Sequence, residues 1–163
     1  MMIIIEMILM GVFATFFMDK FAGFLLKRQC IYSFITPVFL GRWFIYMFKG
    51  KFIHKDIRNT PSLKNEKLGY FVSHYLIGVV LAGFYLILEL KIQTFQEHVW
   101  IALIYGIITV IFPWFWLLPS IGLGFMASKS SKRTLIIRTN LINHTNFGIG
   151  LFLWMILFHR LFI

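Results

Sequence analysis

Charged residues are scarce in this sequence. Asp, Glu, Lys and Arg make up 13% of the 163 residues, and only six residues are acidic. Soluble globular domains usually carry about 25% charged residues. Since 60% of the residues are hydrophobic and 19% are aromatic, the composition excludes an ordinary soluble domain and indicates an integral membrane protein.

Cysteine is almost absent as well. Cys30 is the single cysteine, which excludes an internal disulfide and a cysteine metal cluster. The sequence has no C-x-x-C-H motif for covalent haem attachment and no G-x-S-x-G motif for a serine nucleophile. It also lacks strand-like alternation of apolar and polar residues, so we predict an all-α fold.

Long apolar runs are what the sequence does contain. Spanning the hydrocarbon core takes roughly 20 apolar residues in a helix. The first run lacks the basic start and small-residue cleavage site of a signal peptide, so we expect it to remain as a helix. We predict one membrane domain, residues 1–163, with four transmembrane helices at about 3–26, 70–90, 99–118 and 141–163.

Lys and Arg are concentrated in two of the connections between these runs. Residues 27–67 contain nine against two acids, and residues 119–140 contain four against none. The positive-inside rule therefore predicts that both connections face the cytoplasm and that both termini lie on the opposite side. We interpret the net charge of +10 as a topological signal that also attracts anionic lipid headgroups, and we expect no nucleic-acid partner.

The first basic connection contains a short aromatic segment, residues 37–49. Thr36 suits a helix cap, Pro37 suits the first turn and Gly50 suits the C-terminal stop. The segment is too short to span, so we predict an amphipathic helix lying in the membrane interface. It would present three aromatic side chains to the headgroups: Trp43, Phe44 and Tyr46.

Two histidines begin a shared pattern. His74 and His144 each follow a small polar residue, and Gly78 and Gly148 follow them four positions later. In a helix the His and the Gly lie on the same face, one turn apart. The glycine leaves room beside each imidazole, either for a neighbouring helix or for a metal, a haem or another ligand.

Asp19 is an ionisable residue near the cytoplasmic end of the first predicted helix. Such residues are costly in a membrane and usually have a partner or a function. A salt bridge to Arg42 or a helix cap would be the structural explanation, and a place in a functional site would be the alternative.

The chain also resembles two copies of one helix-loop-helix unit, with halves of about 1–90 and 91–163. Thr15 precedes Asp19 by four positions, and Thr109 precedes Pro113 by four positions. A basic connection and a helix with the His pattern follow in each half. Such a repeat would place His74 and His144 at the same depth in the membrane, facing a shared axis.

A set of motifs covers nearly the whole chain: Met18-Asp19, Gly41-Arg42-Trp43, Lys49 to His54, Gly69-Tyr70 with His74-Tyr75 and Ile77-Gly78, Pro119 with Gly122 to Phe125, and His144 with Phe147 to Leu151. These motifs resemble a family of bacterial inner-membrane proteins that is catalogued as a domain of unknown function. The resemblance implies a four-helix protein of the bacterial inner membrane, and it implies no activity.

Function must therefore be argued from the residues. We predict a ligand-binding site near the cytoplasmic leaflet, possessing redox activity if its ligand is a transition metal or a non-covalent b-type haem. His74 and His144 would be the metal ligands, with Asp19, Arg42 and Glu66 around them. The alternatives are an assembly subunit of a membrane complex, a small transporter or proton-coupled permease acting as a homo-oligomer, and an enzyme that acts on lipid headgroups.

Overall fold

Helices make up the body of the protein. The computed structural model describes residues 2–162, so the predicted end of the last span at Ile163 lies outside the described residues. No strand occurs within this range. The helices are α1 Met2–Lys27, α2 Pro37–Met47, α3 Glu66–Lys91, α4 Gln93–Glu97, α5 Ile101–Ile108, α6 Leu118–Ser120 and α7 Arg133–Leu157.

Three helices, not the predicted four, are long and apolar enough to cross a membrane. They are α1, α3 and the segment Ile101–Ser120, with mean hydropathies of 2.0, 2.0 and 2.2. The third joins α5 to α6 through a π-helical turn at Pro113–Leu117, because proline interrupts regular α-helical hydrogen bonding. The fourth predicted span, α7, has 25 residues, but Asn140, Asn143 and His144 in its first half make it too polar to be counted with these three.

The long helices pack side by side. Helix α1 contacts α3 and α7, α5 contacts α7, and α2 contacts α3. The core between them contains fully buried Met10, Tyr85 and Leu151, together with several alanines. These contacts place α7 between α1 and α5, and Thr139, Asn140 and Asn146 of its polar part are buried.

Glycines mark the closest helix crossings. A Cβ at Gly78 would collide with Thr15 Oγ1 of α1, and a Cβ at Gly148 would lie 2.5 Å from the carbonyl oxygen of Leu103 in α5. A neighbouring helix therefore fills the space that both glycines open, as small residues at membrane helix interfaces generally allow. Of the two occupants considered for that space, the helix is the one observed.

A second, smaller core lies at the end of the bundle where the two basic connections meet. The backbone N–H of His54 donates to Ser120 O at 2.8 Å, and that of Ile57 donates to Ile121 O at 3.1 Å. Trp43 of α2 is 3% exposed in this core, and its Nε1 donates to Phe52 O at 3.2 Å. The helix α2 is thus confirmed from Pro37, but our expectation that Trp43 faces the headgroups is wrong.

The outer surface is apolar along the spans. Many large side chains of α1, α3 and α5 are exposed, including Phe16, Phe84 and Ile108. An exposed apolar surface of this extent is typical of contact with lipid, consistent with a membrane protein. The first turns of α1 and the segment after α7 meet at one end of the bundle, since Glu6 contacts His159.

Candidate functional site

A cavity of about 770 Å³ lies between α1, α2, α3, the Pro113–Leu117 turn and α7. Its volume falls in the range of small-molecule sites, about 300–1,000 Å³. Most of its lining is aliphatic or aromatic. Its polar or charged lining residues are Thr15, Asp19, Tyr32, Ser33, Tyr70, His74, Thr139, Asn140, Asn143 and His144.

Asp19 and His74 form one polar pair on this lining. His74 Nε2 lies 2.8 Å from Asp19 Oδ1, and the ring of Tyr70 stacks on the imidazole at a centroid distance of 5.1 Å. Since α1 and α3 cross at Gly11 and Gly78, one helix places Asp19 two turns past the crossing and the other places His74 one turn before it. The partner of Asp19 is therefore His74, not Arg42.

His144 and Thr109 form the second pair. His144 Nδ1 lies 2.7 Å from Thr109 Oγ1, and the same hydroxyl donates to Gly106 O at 2.5 Å. A hydroxyl has one hydrogen. We assign that hydrogen to Gly106 O, the shorter of the two contacts, so that His144 Nδ1 carries its own proton and donates to Thr109.

This assignment determines what the other ring nitrogen can do. Within residues 2–162, no carboxylate contacts His144, and a charged group in apolar surroundings is costly without such a partner. The neutral ring therefore has an unprotonated Nε2, which is a hydrogen-bond acceptor. In the other pair, the carboxylate of Asp19 is the hydrogen-bond acceptor and His74 Nε2 is the donor. His74 Nδ1 is then the second ring nitrogen without a protein partner in the described chain.

Three further polar atoms along the cavity lining have no hydrogen-bond partner in the described structure. They are Thr15 Oγ1, Asn140 Nδ2 and Asn143 Oδ1. Buried polar groups are nearly always paired, and Asn140 is only 6% exposed. Our sequence reasoning did not include these asparagines in the site.

A zinc site would need more protein ligands than the two histidines supply. Catalytic zinc sites use three protein ligands and structural ones use four. No group of three or more His, Cys, Asp or Glu residues within positions 2–162 is arranged to hold a metal ion. The assignment of His74 and His144 as metal ligands stays a prediction without a third ligand.

Arg42 and Glu66, the other two predicted site residues, do not line the cavity. Arg42 Nε lies 2.6 Å from Glu66 Oε1, and its Nη1 donates to Thr60 O at 2.6 Å. Both residues are 7% exposed. We expected both residues beside the histidines, and this expectation is corrected. Their ion pair instead links α2 and the first basic connection to the start of α3.

The comparisons with known proteins bear on this arrangement. The family described as "Protein of unknown function (DUF2938)" matches residues 8–158. The chain belongs to the DUF2938 family. The predicted membership of a family of unknown function is thereby confirmed, and the DUF2938 description names no activity. No curated protein and no solved structure matches the chain.

This DUF2938 protein has a second buried polar cluster that our sequence reasoning missed. His159 Nδ1 lies 2.6 Å from Glu6 Oε1, and its Nε2 lies 3.8 Å from Glu89 Oε1. Trp154 Nε1 also donates to Glu6 at 3.2 Å. The hydrogen bond to Glu6 raises the pKa of His159 above its usual value. The available signal was that each glutamate in an apolar helix requires a partner.

Proposed function

We propose that this protein is a membrane-embedded binding protein whose cavity holds a small ligand between His74 and His144. The observation that carries the proposal is the pairing of each imidazole with a protein group, Asp19 or Thr109, that leaves its second nitrogen free. Fixed rings with unused nitrogens along an apolar cavity favour specific binding. A transition metal or b-type haem is one version of this ligand, and a metal-free organic ligand is the other.

The experiment is to identify what the protein carries when purified from membranes in mild detergent. Organic extracts are analysed by mass spectrometry, and the intact protein by metal analysis and absorption spectroscopy. The proposal predicts one species near one equivalent per chain that is lost in His144→Phe and retained in His98→Gln, since His98 is exposed outside the cavity. A Soret band identifies haem. Absence of any His144-dependent species would leave the assembly-subunit alternative.

The proposed setting is the bacterial inner membrane, with both basic connections in the cytoplasm and both termini in the periplasm. Supporting this, about 14 of the 16 Lys and Arg lie at or near the end of the bundle that carries these connections. The packing of α7 between α1 and α5 supports it as a fourth crossing despite its polar first half. Reporter fusions at the C-terminus should report a periplasmic location, and a cytoplasmic one would contradict this topology.

An internal repeat of the two halves is part of the same proposal. The α1–α3 and α5–α7 pairs both cross at glycines, and in both the first helix binds the histidine of the second. The two contacts are not at equivalent positions of the repeat. Asp19 corresponds to Pro113, whereas the partner of His144 is Thr109, one turn earlier. Exchanging the two polar partners, by Asp19→Thr together with Thr109→Asp, would test this equivalence.

Proton-coupled transport by a homo-oligomer is a second candidate. Buried Glu6 and Glu89 lie at the end of the bundle far from the basic connections. Proton flux in proteoliposomes that is lost in Glu89→Gln would favour transport, and unchanged flux would exclude this role.

A further inference from the structure

The charge of the cavity lining restricts the ligand. Among residues 2–162, Asp19 is the one Asp, Glu, Lys or Arg on the lining, and His74 already binds it. Sites for phosphate and carboxylate groups generally use Arg or Lys. An anionic headgroup would therefore enter this cavity without a counter-charge, which favours a ligand with a neutral head.

The hydrogen-bonding atoms restrict it further. His144 Nε2 is an acceptor by the tautomer assignment. Asn143 Oδ1 and Asn140 Nδ2 are also unpartnered, but both atoms are buried beneath the cavity surface. A hydroxyl both donates and accepts. A head that only accepts, such as an ester or a ketone, would leave the imidazole nitrogen unmatched, at the cost of a buried unpaired group.

The rest of the lining indicates where the ligand comes from. Several apolar lining residues also form part of the outer surface of the helices: Leu76, Ile77, Val80, Phe84, Phe112 and Trp116, each 42–54% exposed. The cavity is thus continuous with the surface that faces lipid. A ligand entering there needs an apolar body that is soluble in the bilayer.

Building on the proposed function, we infer that the cavity binds a neutral membrane amphiphile whose head carries a free hydroxyl, placed at His144 Nε2 with the apolar body along α3. Two sources share this chemistry, a diacylglycerol and a prenylated quinol. Their common hydroxyl defines the class, and the probes below separate the two.

The test is native mass spectrometry of the full chain in detergent with short-chain probes. Dioctanoylglycerol and decylubiquinol have free hydroxyls, and each is compared with its own acetylated or methylated form. Dioctanoyl phosphatidic acid serves as the anionic probe. We expect at least one hydroxyl probe to bind about tenfold or more tightly than its blocked form, the effect of leaving a buried acceptor unmatched, and phosphatidic acid to bind more weakly.

The variants locate the binding. His144→Phe keeps a ring of similar size, and Thr109→Val, which removes the hydroxyl that orients His144, provides a second variant should the first fail to fold, as judged by its thermal melt. Either should reduce the preference for the free hydroxyl, whereas His98→Gln should retain it. Equal binding of free and blocked probes, tighter binding of phosphatidic acid, or binding of none of the probes would each overturn the inference.

Those failures are separate from a failure of the proposed function. If the purified protein carries a His144-dependent species of another class, the binding function stands and only the ligand class is wrong. If the purified protein carries no such species and no probe binds, both are wrong.

Discussion

Replacement of Arg42 by Met should destabilise the protein strongly without emptying the cavity. Arg42 donates to both carboxylate oxygens of Glu66, at 2.6 and 3.2 Å, and to Thr60 O. Removing one partner of a buried ion pair typically costs about 3–5 kcal/mol because the other charge is left unpaired. The N–H of Leu63 still donates to Glu66 at 2.7 Å, so we expect the lower end, about 3 kcal/mol.

The assay is denaturant unfolding in micelles, read by circular dichroism, for Arg42→Met, Glu66→Met and the double variant. The double variant should be more stable than the sum of the single effects predicts, since neither charge is then left unpaired. Arg42→Lys is the matched control and should have an intermediate effect, because an ammonium cannot form the two-point contact. A loss below about 1 kcal/mol for Arg42→Met, typical of a surface ion pair, would refute the reasoning.

Three further predictions concern the crossing, the second cluster and the cavity. Gly148→Val should destabilise by about 1–3 kcal/mol through overpacking, measured by the same unfolding assay, whereas Gly23→Ala, with open space around its Cβ, should be neutral or slightly stabilising. His159 has a folded-state pKa raised by Glu6, so its stabilising contribution is complete below its unfolded pKa near 6.5 and is lost as pH rises through the raised value. Thermal melts from pH 5 to 9 should show this slope, and His159→Gln should flatten it. Thr109→Val should weaken ligand binding roughly tenfold, the worth of about one hydrogen bond, and unchanged affinity would contradict the tautomer assignment.

Sequence patterns were sufficient for features that depend on neighbouring residues. The helix α2 begins at Pro37 as predicted, because proline favours the first turn whatever lies around it. Three of the four apolar runs also form segments able to span a membrane. The fourth differs because its helix begins at Arg133, eight residues earlier than predicted, and its polar half depends on burial between two other helices.

Features that depend on helix rotation and depth could not be predicted from the sequence. Asp19 could have met any partner near its depth, and only the crossing at Gly11 and Gly78 turns it toward His74. The pattern of a His followed by a Gly four positions later could not reveal that a neighbouring helix fills the space beside each glycine. Glu6 and His159 are 153 positions apart, so the sequence indicated only that the glutamate required some partner.

The most direct test of the central claim is an experimental structure of the protein in lipid nanodiscs. We predict elongated density in the cavity, with its polar end within hydrogen-bonding distance of His144 Nε2, about 2.6–3.2 Å, and its apolar body against α3. A cavity closed by side chains, or filled by a helix of a second copy, would contradict the account.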